Sequence, residues 1–448
     1  MRISTSQIFD AGALGIQNSQ GGLYKLQNQL STGRRVLTPK DDPVAAAQAL
    51  VATQSRDVNS QYMTNQGQAK SQLGFVDSQL TAVINNLQNV RERVVQAGST
   101  VLGQSDRDAI ATELESRLSE LLGLANTDNG SGEYLFSGFR GNVLPFAVDI
   151  AGTGVSPSTT PPVNYYGDDG ERLLQVSSSR QMGVSAAGSD VFMEIKQGNG
   201  TFVTAAAGHM TGGVLDGTIN QGTATIDKGS VTNQQLWETS IDSFGWQVPA
   251  TPVFQIVFSV AAGATSYQLF DASDTANPPV AIGAVTPFVT GQAIPLITNA
   301  PTVTDFASQV VVKGQPNDGD SFSIKPSTNQ SVFQTVQSLL GILRDPVGST
   351  TNSSTQYANN LAAQLTNLDQ AFDNVSRVQA RIGTRMQEID YLGSAASDMD
   401  VQYQSSLSEL QDLDYVEAIS DFIKQKTNLE AAQKSFAQVS GMSLFKYL

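Results

Sequence analysis

Two stretches of the sequence set acidic residues and glycine close enough together to suggest a cation loop. One is Tyr165-Tyr-Gly-Asp168-Asp169-Gly-Glu171-Arg172, and the other is Asn317-Asp-Gly-Asp320. A calcium loop needs oxygen ligands at several alternating positions and a bidentate glutamate beyond them, and neither stretch supplies the set. Tight turns favour the same residue types, because Asn and Asp side chains bond nearby backbone amides and Gly accepts a positive φ; turns are therefore the expected role. His209 is the only histidine, in the stretch Ala-Ala-Ala-Gly-His-Met-Thr-Gly-Gly, and there is no cysteine. It reads as a loop residue. Phosphate loops, nucleophile elbows and paired zinc histidines are absent as motifs. Trp237 and Trp246 could form a ligand platform if exposed, or part of a core if not. The chemistry the sequence does offer is association, through apolar side chains at coiled-coil spacing diluted with amides. No catalysis, metal or cofactor is expected.

A chain of 448 residues exceeds one hydrophobic core, so several domains are expected. Its formal charge is −15, and no segment gathers Lys and Arg into a stripe. Binding to phosphates or to an anionic membrane needs such a stripe, so nucleic acid and membrane surfaces are not expected partners. No apolar run reaches the roughly 18 residues of a membrane span, so no membrane insertion is expected. The start, Met1 to Gly15, lacks the apolar core and cleavage site of a secretory signal.

The elements that position the association chemistry are helices at both ends. Ser4-x-x-Gln7 reads as a capping signature. Phe9, Ala13, Ile16, Gln20, Leu23, Gln27 and Leu30 then follow 4-3 spacing, the seam of a coiled coil, with Gly33 placed as a left-handed stop. Asp41-Asp42-Pro43 opens a long second helix, with Asp42 able to cap and Pro43 at the first helical position. Its seam runs Val76, Leu80, Val83, Leu87, Val90, Val94, Ala97, continued upstream by Val58, Tyr62, Asn65 and Ala69 after one shift of register. Ile110, Leu114, Leu118, Leu121 and Ala125 form one face of a third helix, before a turn at Asp128-Asn-Gly130 and a short strand Tyr134-Leu-Phe136. Near the other end, Leu361, Leu365, Leu368, Phe372, Val375, Gln379, Ile382, Met386, Ile389, Gly393 and Ala396 make a mirror seam. A final helix after Asp414 carries Ile419, Phe422, Lys426, Leu429, Gln433, Phe436 and Ser440 on one stripe.

Between these zones the composition changes to Gly, Pro, Thr, Ser and Val with sparse charge, and reads as β-structure. Val191–Ile195 and Thr201–Thr204 flank Gln197-Gly-Asn-Gly200 as one hairpin. Val253–Phe258 and Ser266–Phe270 flank Gly263 as another. Seams holding Gln20, Gln27, Lys426 and Gln433 offer each terminal helix little apolar burial against the entropy of ordering its backbone. The expectation is that the ends are marginal alone and become helical when neighbouring copies shelter them. The alternative is a helical hairpin already stable in the monomer.

Particular residues then point to a family. Leu30-Ser-Thr-Gly33-Arg-Arg-Val36 with Lys40-Asp-Asp-Pro43-Val-Ala-Ala-Ala47 resembles the N-terminal signature of bacterial flagellins, and Leu87 to Ala97 is similar to their long N-terminal helix. Glu133-Tyr-Leu-Phe-Ser-Gly138, Pro145-Phe146, Tyr166-Gly-Asp168 with Arg172, and Gly319-Asp-Ser-Phe322 leading to Gln330-Ser-Val-Phe333 resemble the hook-associated protein 3 branch. So do Asp414 to Ile419, Leu429 to Phe436 and the ending Ser443-Leu-Phe-Lys-Tyr-Leu448. The resemblance implies export through the flagellar type III apparatus without a cleaved signal, and an extracellular place in the flagellum. It also implies terminal helices in an inner tube, the next helices in an outer tube, and a β zone projecting outward. It further implies a ring of identical subunits between the other hook–filament junction protein and flagellin, and a cytoplasmic export chaperone at the C-terminal region.

The fold class expected is α+β multidomain: a long antiparallel helical coiled-coil rod built from both chain ends, with a β-rich inserted domain. The segments are 1–42 and 414–448 (inner helical domain), 43–143 and 331–413 (rod), and 144–330 (β-rich). The residues expected to carry subunit assembly are Leu23, Leu26, Leu30, Ile419, Phe422, Leu429, Phe436 and Phe445. Gly33, Asp41, Asp42 and Pro43 are expected at the cap and turn. Rival readings are filament flagellin and a surface adhesin whose β-rich domain binds a ligand.

Overall fold

The computed structural model describes residues 5–148, 162–244, 253–273, 278–299 and 303–441. Seven helices appear among them: α1 (Thr5–Thr32), α2 (Pro43–Ala97), α3 (Gln104–Ala125), α4 (Gln234–Phe244), α5 (Val332–Arg344), α6 (Ser354–Gln411) and α7 (Tyr415–Gly441). Both ends are helical and the strands lie between them, as an α+β multidomain chain requires. Contacts divide the chain into two compact units, one of residues 1–68, 175–180 and 389–448, the other of residues 69–174 and 181–388.

In the larger unit, α2 buries the apolar seam that its spacing predicts. Val76, Leu80, Val83, Leu87, Val90, Val94 and Ala97 are all buried, as are Ile110, Leu114, Leu118, Leu121 and Ala125 of α3. Aliphatic side chains every three or four residues make one continuous stripe, and burial of that stripe drives the packing. α2 runs antiparallel to α6: Gln379 donates to Asp77, Arg91 pairs with Asp369 at 2.7 Å, and the Tyr357 hydroxyl donates to the Ala97 carbonyl at 2.8 Å.

The strands of this unit form an antiparallel sheet in the order Val280–Ala281, Ala264–Asp271, Phe254–Ala261, Asp320–Pro326, Phe202–Thr211, Val214–Leu215. Thr304–Lys313 pairs separately with Ala293–Thr298, Thr225–Ile226 and Ser230–Val231. The core holds Phe202, Trp237, Phe254, Leu296, Phe306 and Phe322 among others. The Phe254–Ala261 and Ala264–Asp271 hairpin turns on Ala262 and Gly263, both at positive φ, and stays in register from Ala261↔Ala264 to Phe254↔Asp271.

Two expected strands are absent. Tyr134-Leu135-Phe136 makes one isolated bridge, Tyr134 to Asp128, and otherwise turns so that Leu135 and Phe136 enter the core. Residues 191–193 belong to a π-helical turn, Ser189–Met193, and only Ile195–Lys196 is strand, pairing with Asn329–Gln330. The turn puts Phe192 into a buried cluster with Phe136, Phe146 and Phe333, at ring separations of 5.2 to 5.8 Å. An extended chain would alternate its side chains across two faces; the aromatic cluster overrides that local propensity. Phe202–Thr211 consequently pairs with Asp320–Pro326 and not with Val191–Ile195.

Candidate assembly surface

The smaller unit holds nearly all residues expected to associate. α1 packs against α7, antiparallel, since Gly12 lies against Phe436, Gly22 against Gln425 and Gly33 against Tyr415. The facing positions on α1 are Gly12, Ile16, Ser19, Leu23, Leu26, Leu30 and Gly33; on α7 they are Ala418, Phe422, Gln425, Leu429, Ala432 and Phe436. Both sets follow 4-3 spacing. Small residues set the approach. A Cβ on Gly12 would stand 2.7 Å from the Phe436 ring, and one on Gly22 would stand 2.9 Å from Gln425 Nε2. Phe9 meets Phe436 with ring centroids 4.9 Å apart.

This corrects the phase of both terminal seams. Ala13, Gln20 and Gln27 face solvent, and so do Ile419, Lys426 and Gln433; their neighbours Gly12, Ser19, Leu26, Ala418, Gln425 and Ala432 face the partner helix. Gln20, Gln27, Lys426 and Gln433 thus lie outside the seam, and Gln425 lies within it. Leu23, Leu26, Leu30, Phe422, Leu429 and Phe436 therefore meet a helix of their own chain, whereas Ile419 stands outside that contact. Phe445, the Ser440 side chain and the Ser4 cap lie outside the described residues.

Outside the α1–α7 seam, large apolar side chains remain in water. On α7 they are Val416 (83% exposed), Ile419 (47%) and Ile423 (58%), spaced to share one face; on α1 they include Leu14 and Tyr24. α2 adds Val44, Val51 and Val58, every seventh residue, and each is exposed. Val58, expected in the inward seam, is thus outside it. The inward positions of this stretch are small or polar: Ala45, Ala49, Asn59 and Gln66 are buried. Asn59 donates to the Ala396 carbonyl at 2.7 Å, Gln66 to the Val176 carbonyl at 2.7 Å, and Arg56 pairs with Asp400 at 2.9 Å.

The link between α1 and α2 crosses the link between α6 and α7. Gly33 takes φ +69°, which a Cβ-bearing residue rarely adopts, and its amide donates to the Gln29 carbonyl at 2.8 Å. The Arg35 amide then donates to the Gln411 carbonyl at 2.7 Å, and the Leu413 amide to the Gly33 carbonyl at 3.0 Å. Pro43 is the first residue of α2, and Asp42 accepts the Ala45 amide at 3.0 Å as its cap. Asp41 caps nothing. It pairs with Lys25 at 2.7 Å and accepts the Thr38 amide at 2.9 Å. The Lys25 contact, then the Thr38 amide, hold its carboxyl at about 2. The Ala45 amide likewise holds Asp42 below the usual carboxylate range.

In the larger unit, a row of asparagines on α6 carries a role that sequence reasoning missed. Asn359, Asn367 and Asn374 are buried, seven or eight residues apart. Asn359 accepts the Ile226 amide at 3.0 Å and donates to the Ala224 carbonyl at 3.2 Å. Asn367 accepts the Gly198 amide at 2.8 Å, and Asn374 donates to the carbonyls of Asp190 and Val191 at 2.7 and 3.0 Å. Arg381 pairs with Asp190 at 2.7 Å and Arg385 with Glu171 at 2.8 Å, extending the row. Together these bonds hold the Thr225–Ile226 strand, the Gly198 turn and the Ser189–Met193 turn onto one face of α6. Their spacing near seven was the available signal.

The loops that resembled cation sites are closed turns. Asp168 accepts the amides of Phe139 and Gly170 at 2.8 and 2.9 Å, and Tyr165, whose hydroxyl burial pushes up to about 12, donates to the carbonyls of Phe136 and Asp168. Glu133 pairs with Arg172 at 2.6 Å, so two separated motif segments meet here. Asp320 is buried and accepts the amides of Gln221, Gly222 and Asn317. His209 lies on the strand Phe202–Thr211 and not in a loop; its ring nitrogens face Asp216 at 2.7 Å and the Asp318 carbonyl at 2.8 Å. Trp237 is buried in the β core, and Trp246 lies outside the described residues. Among the described residues no cluster of potential metal ligands occurs, and no helix is long and apolar enough to cross a membrane.

The helical ends match known families. Residues 3–140 fit the bacterial flagellin N-terminal helical region, and residues 365–448 fit the bacterial flagellin C-terminal helical region. The flagellar hook-associated protein 3 of Salmonella typhimurium is 24% identical over 446 residues, spanning 100% of this chain and 99% of the relative. The phase 2 flagellin of the same organism is 28% identical over 206 residues, 45% of this chain and 36% of that protein. The crystal structure of the flagellar junction protein FlgL from Legionella pneumophila superposes with a TM-score of 0.63 at 27% identity, covering 82% of this chain and 100% of that one. With both helical ends matched, and a full-length likeness in the hook-associated protein 3 branch, the chain belongs to the bacterial flagellin family.

Proposed function

We propose that this chain is a structural subunit of the bacterial flagellum that forms the junction between hook and filament. It locks into place when the outer faces of its terminal helices meet those of neighbouring copies. The observation that carries this reading is the stripe Val416, Ile419 and Ile423 on α7, left in water after α7 has packed on α1. A helix with apolar residues on a second face is built for a second partner. Val44, Val51 and Val58 on α2 repeat the device at coiled-coil spacing. The likeness to hook-associated protein 3 runs the full length, while that to filament flagellin stops short of half the chain, which favours the junction over the filament.

In this reading the molecule works without catalysis or cofactor. Identical subunits form a ring that meets the other hook–filament junction protein on one side and flagellin on the other. A cytoplasmic export chaperone holds the C-terminal region before export to the extracellular flagellum. Residues 1–42 with 414–448 form the inner domain, 43–143 with 331–413 the rod, and 144–330 the outward domain. The burial of Trp237 removes one of the two indoles an adhesive platform would use. Cells lacking the gene should complete their hooks yet release flagellin into the medium, and restoring the gene should reattach filaments. Filaments still seated on hooks in its absence would overturn the reading; a complete lack of flagellin polypeptide would favour a filament subunit.

A further inference from the structure

A cleft of about 420 Å³ lies in the larger unit where α2 ends and α6 begins. Its wall is largely apolar: Val94, Val95, Val347, Leu361 and Leu365 line it. The size and lining are those of a site for a small organic group. One cation stands in this wall. Arg107, from the first turns of α3, is 8% exposed, and its guanidinium carbon lies 4.9 Å over the ring of Tyr357, another lining residue.

Arg107 has no carboxylate within ion-pair distance among the described residues, and its Nε is buried without a hydrogen-bond partner. That is unusual, because a buried charge is ordinarily paired and a buried polar atom ordinarily bonded. The nearby C-terminal end of α2 does not explain it. The carbonyls of Val94 and Val95 take the Gly98 amide, that of Gln96 takes the Ser99 amide, and that of Ala97 takes the Tyr357 hydroxyl. Each of the last carbonyls already has its donor. Tyr357 offers the guanidinium a π face and a hydroxyl, which attract the cation but leave its buried Nε without a partner.

We infer that this cleft binds a carboxylate carried on an apolar stem, with Arg107 as the anion-binding residue and the Val94, Leu361 and Leu365 side chains as the seat of the stem. The planar guanidinium fork fits a carboxylate through two parallel hydrogen bonds. The aliphatic wall selects against a fully hydrated anion such as inorganic phosphate, whose oxygens would lose water without replacement. Two sources share this chemistry: a free organic acid, and an Asp or Glu flanked by apolar residues on a neighbouring chain.

The test uses the full chain with isotope-labelled methyl groups, titrated with hexanoate and separately with hexanol. The expected result is saturable hexanoate binding that shifts the Val94, Leu361 and Leu365 methyl signals, with hexanol at least tenfold weaker. Arg107→Gln should lose that tenfold preference, and Arg107→Lys should retain part of it. Equal binding of acid and alcohol, or no saturable binding of either, overturns the inference. Should Arg107→Gln fail to fold, the wild-type comparison of acid against alcohol decides alone. Where the binding result holds, cells carrying Arg107→Gln distinguish the sources. Filaments shed from the hook identify a neighbouring chain's carboxylate as the occupant; normal attachment identifies a free acid.

Discussion

Replacing Ile419 and Ile423 together by serine tests whether the outer face of α7 holds the assembly. Both side chains project away from α1 and keep about half their surface in water within one chain. Fully burying an isoleucine contributes roughly 1.5–3 kcal/mol. Assembly can recover only the part still exposed, so the pair contributes roughly 1.5–3 kcal/mol per interface. Each 1.4 kcal/mol is a factor of ten in association, so the double variant should assemble roughly 10- to 150-fold more weakly. The isolated chain should be unaffected, because exposed substitutions usually stay within about 0.5 kcal/mol of neutral. Thermal melts of the purified monomer and counts of filaments attached per cell are the paired assays. Unchanged melts with detached filaments support the reasoning. Normal swimming with filaments in place would refute it, as would a monomer that melts markedly lower, since that would put these side chains in the fold of the single chain.

Three further outcomes follow from the same geometry. Asn374→Ala orphans the buried carbonyls of Asp190 and Val191, which should cost about 1–3 kcal/mol in denaturant unfolding. Asp41 titrates near 2 in the folded chain, below its ordinary 3.8. A depressed carboxylate stabilises above the unfolded value, so the Lys25–Asp41–Thr38 contacts should be complete above pH 4 and lost as pH falls towards 2; proteolysis within residues 34–42 across that window checks it, and Asp41→Asn should flatten the profile. His209 moves the other way, raised first by its bond to Asp216. Its contribution should be full below the ordinary value of 6.5 and fade as pH rises through the raised folded value, which a pH series of melts against His209→Gln would record.

The long seams were legible because aliphatic residues at 4-3 spacing leave one phase to choose. Val76 to Ala97 and Ile110 to Ala125 admit no other stripe, and the helices bury it. The terminal helices do not have that property. Gly12 and Ala13, or Gln425 and Lys426, are adjacent and similar in apolarity, so pattern alone favours the wrong one. The choice is made by closeness of approach, which a glycine under Phe436 permits and an alanine does not. Asn359, Asn367 and Asn374 escaped notice because polar residues on a helix read as solvated, and only the loops they bind reveal the need. Apolar neighbours make Phe192 look like strand, yet a ring cluster with Phe136, Phe146 and Phe333 decides its backbone.

Leu23, Leu26, Leu30, Phe422, Leu429 and Phe436 meet a helix of their own chain, so Phe436→Glu would disturb the α1–α7 pair before any neighbour is involved. Ile419 alone of the described set lies on the outer face, where Val416 and Ile423 accompany it. Gly33, Asp42 and Pro43 stand where backbone chemistry requires them, and Asp41 holds the link by a charge pair.

Hydrogen exchange of the free chain at low concentration, compared with the same chain inside assembled flagella, measures whether the terminal helices wait for neighbouring copies. Amides of residues 5–32 and 415–441 should exchange rapidly in the free molecule and become protected on assembly, while residues 73–97 and 110–125 should be protected in both. Equal, slow exchange of the terminal helices in the lone chain would contradict that expectation.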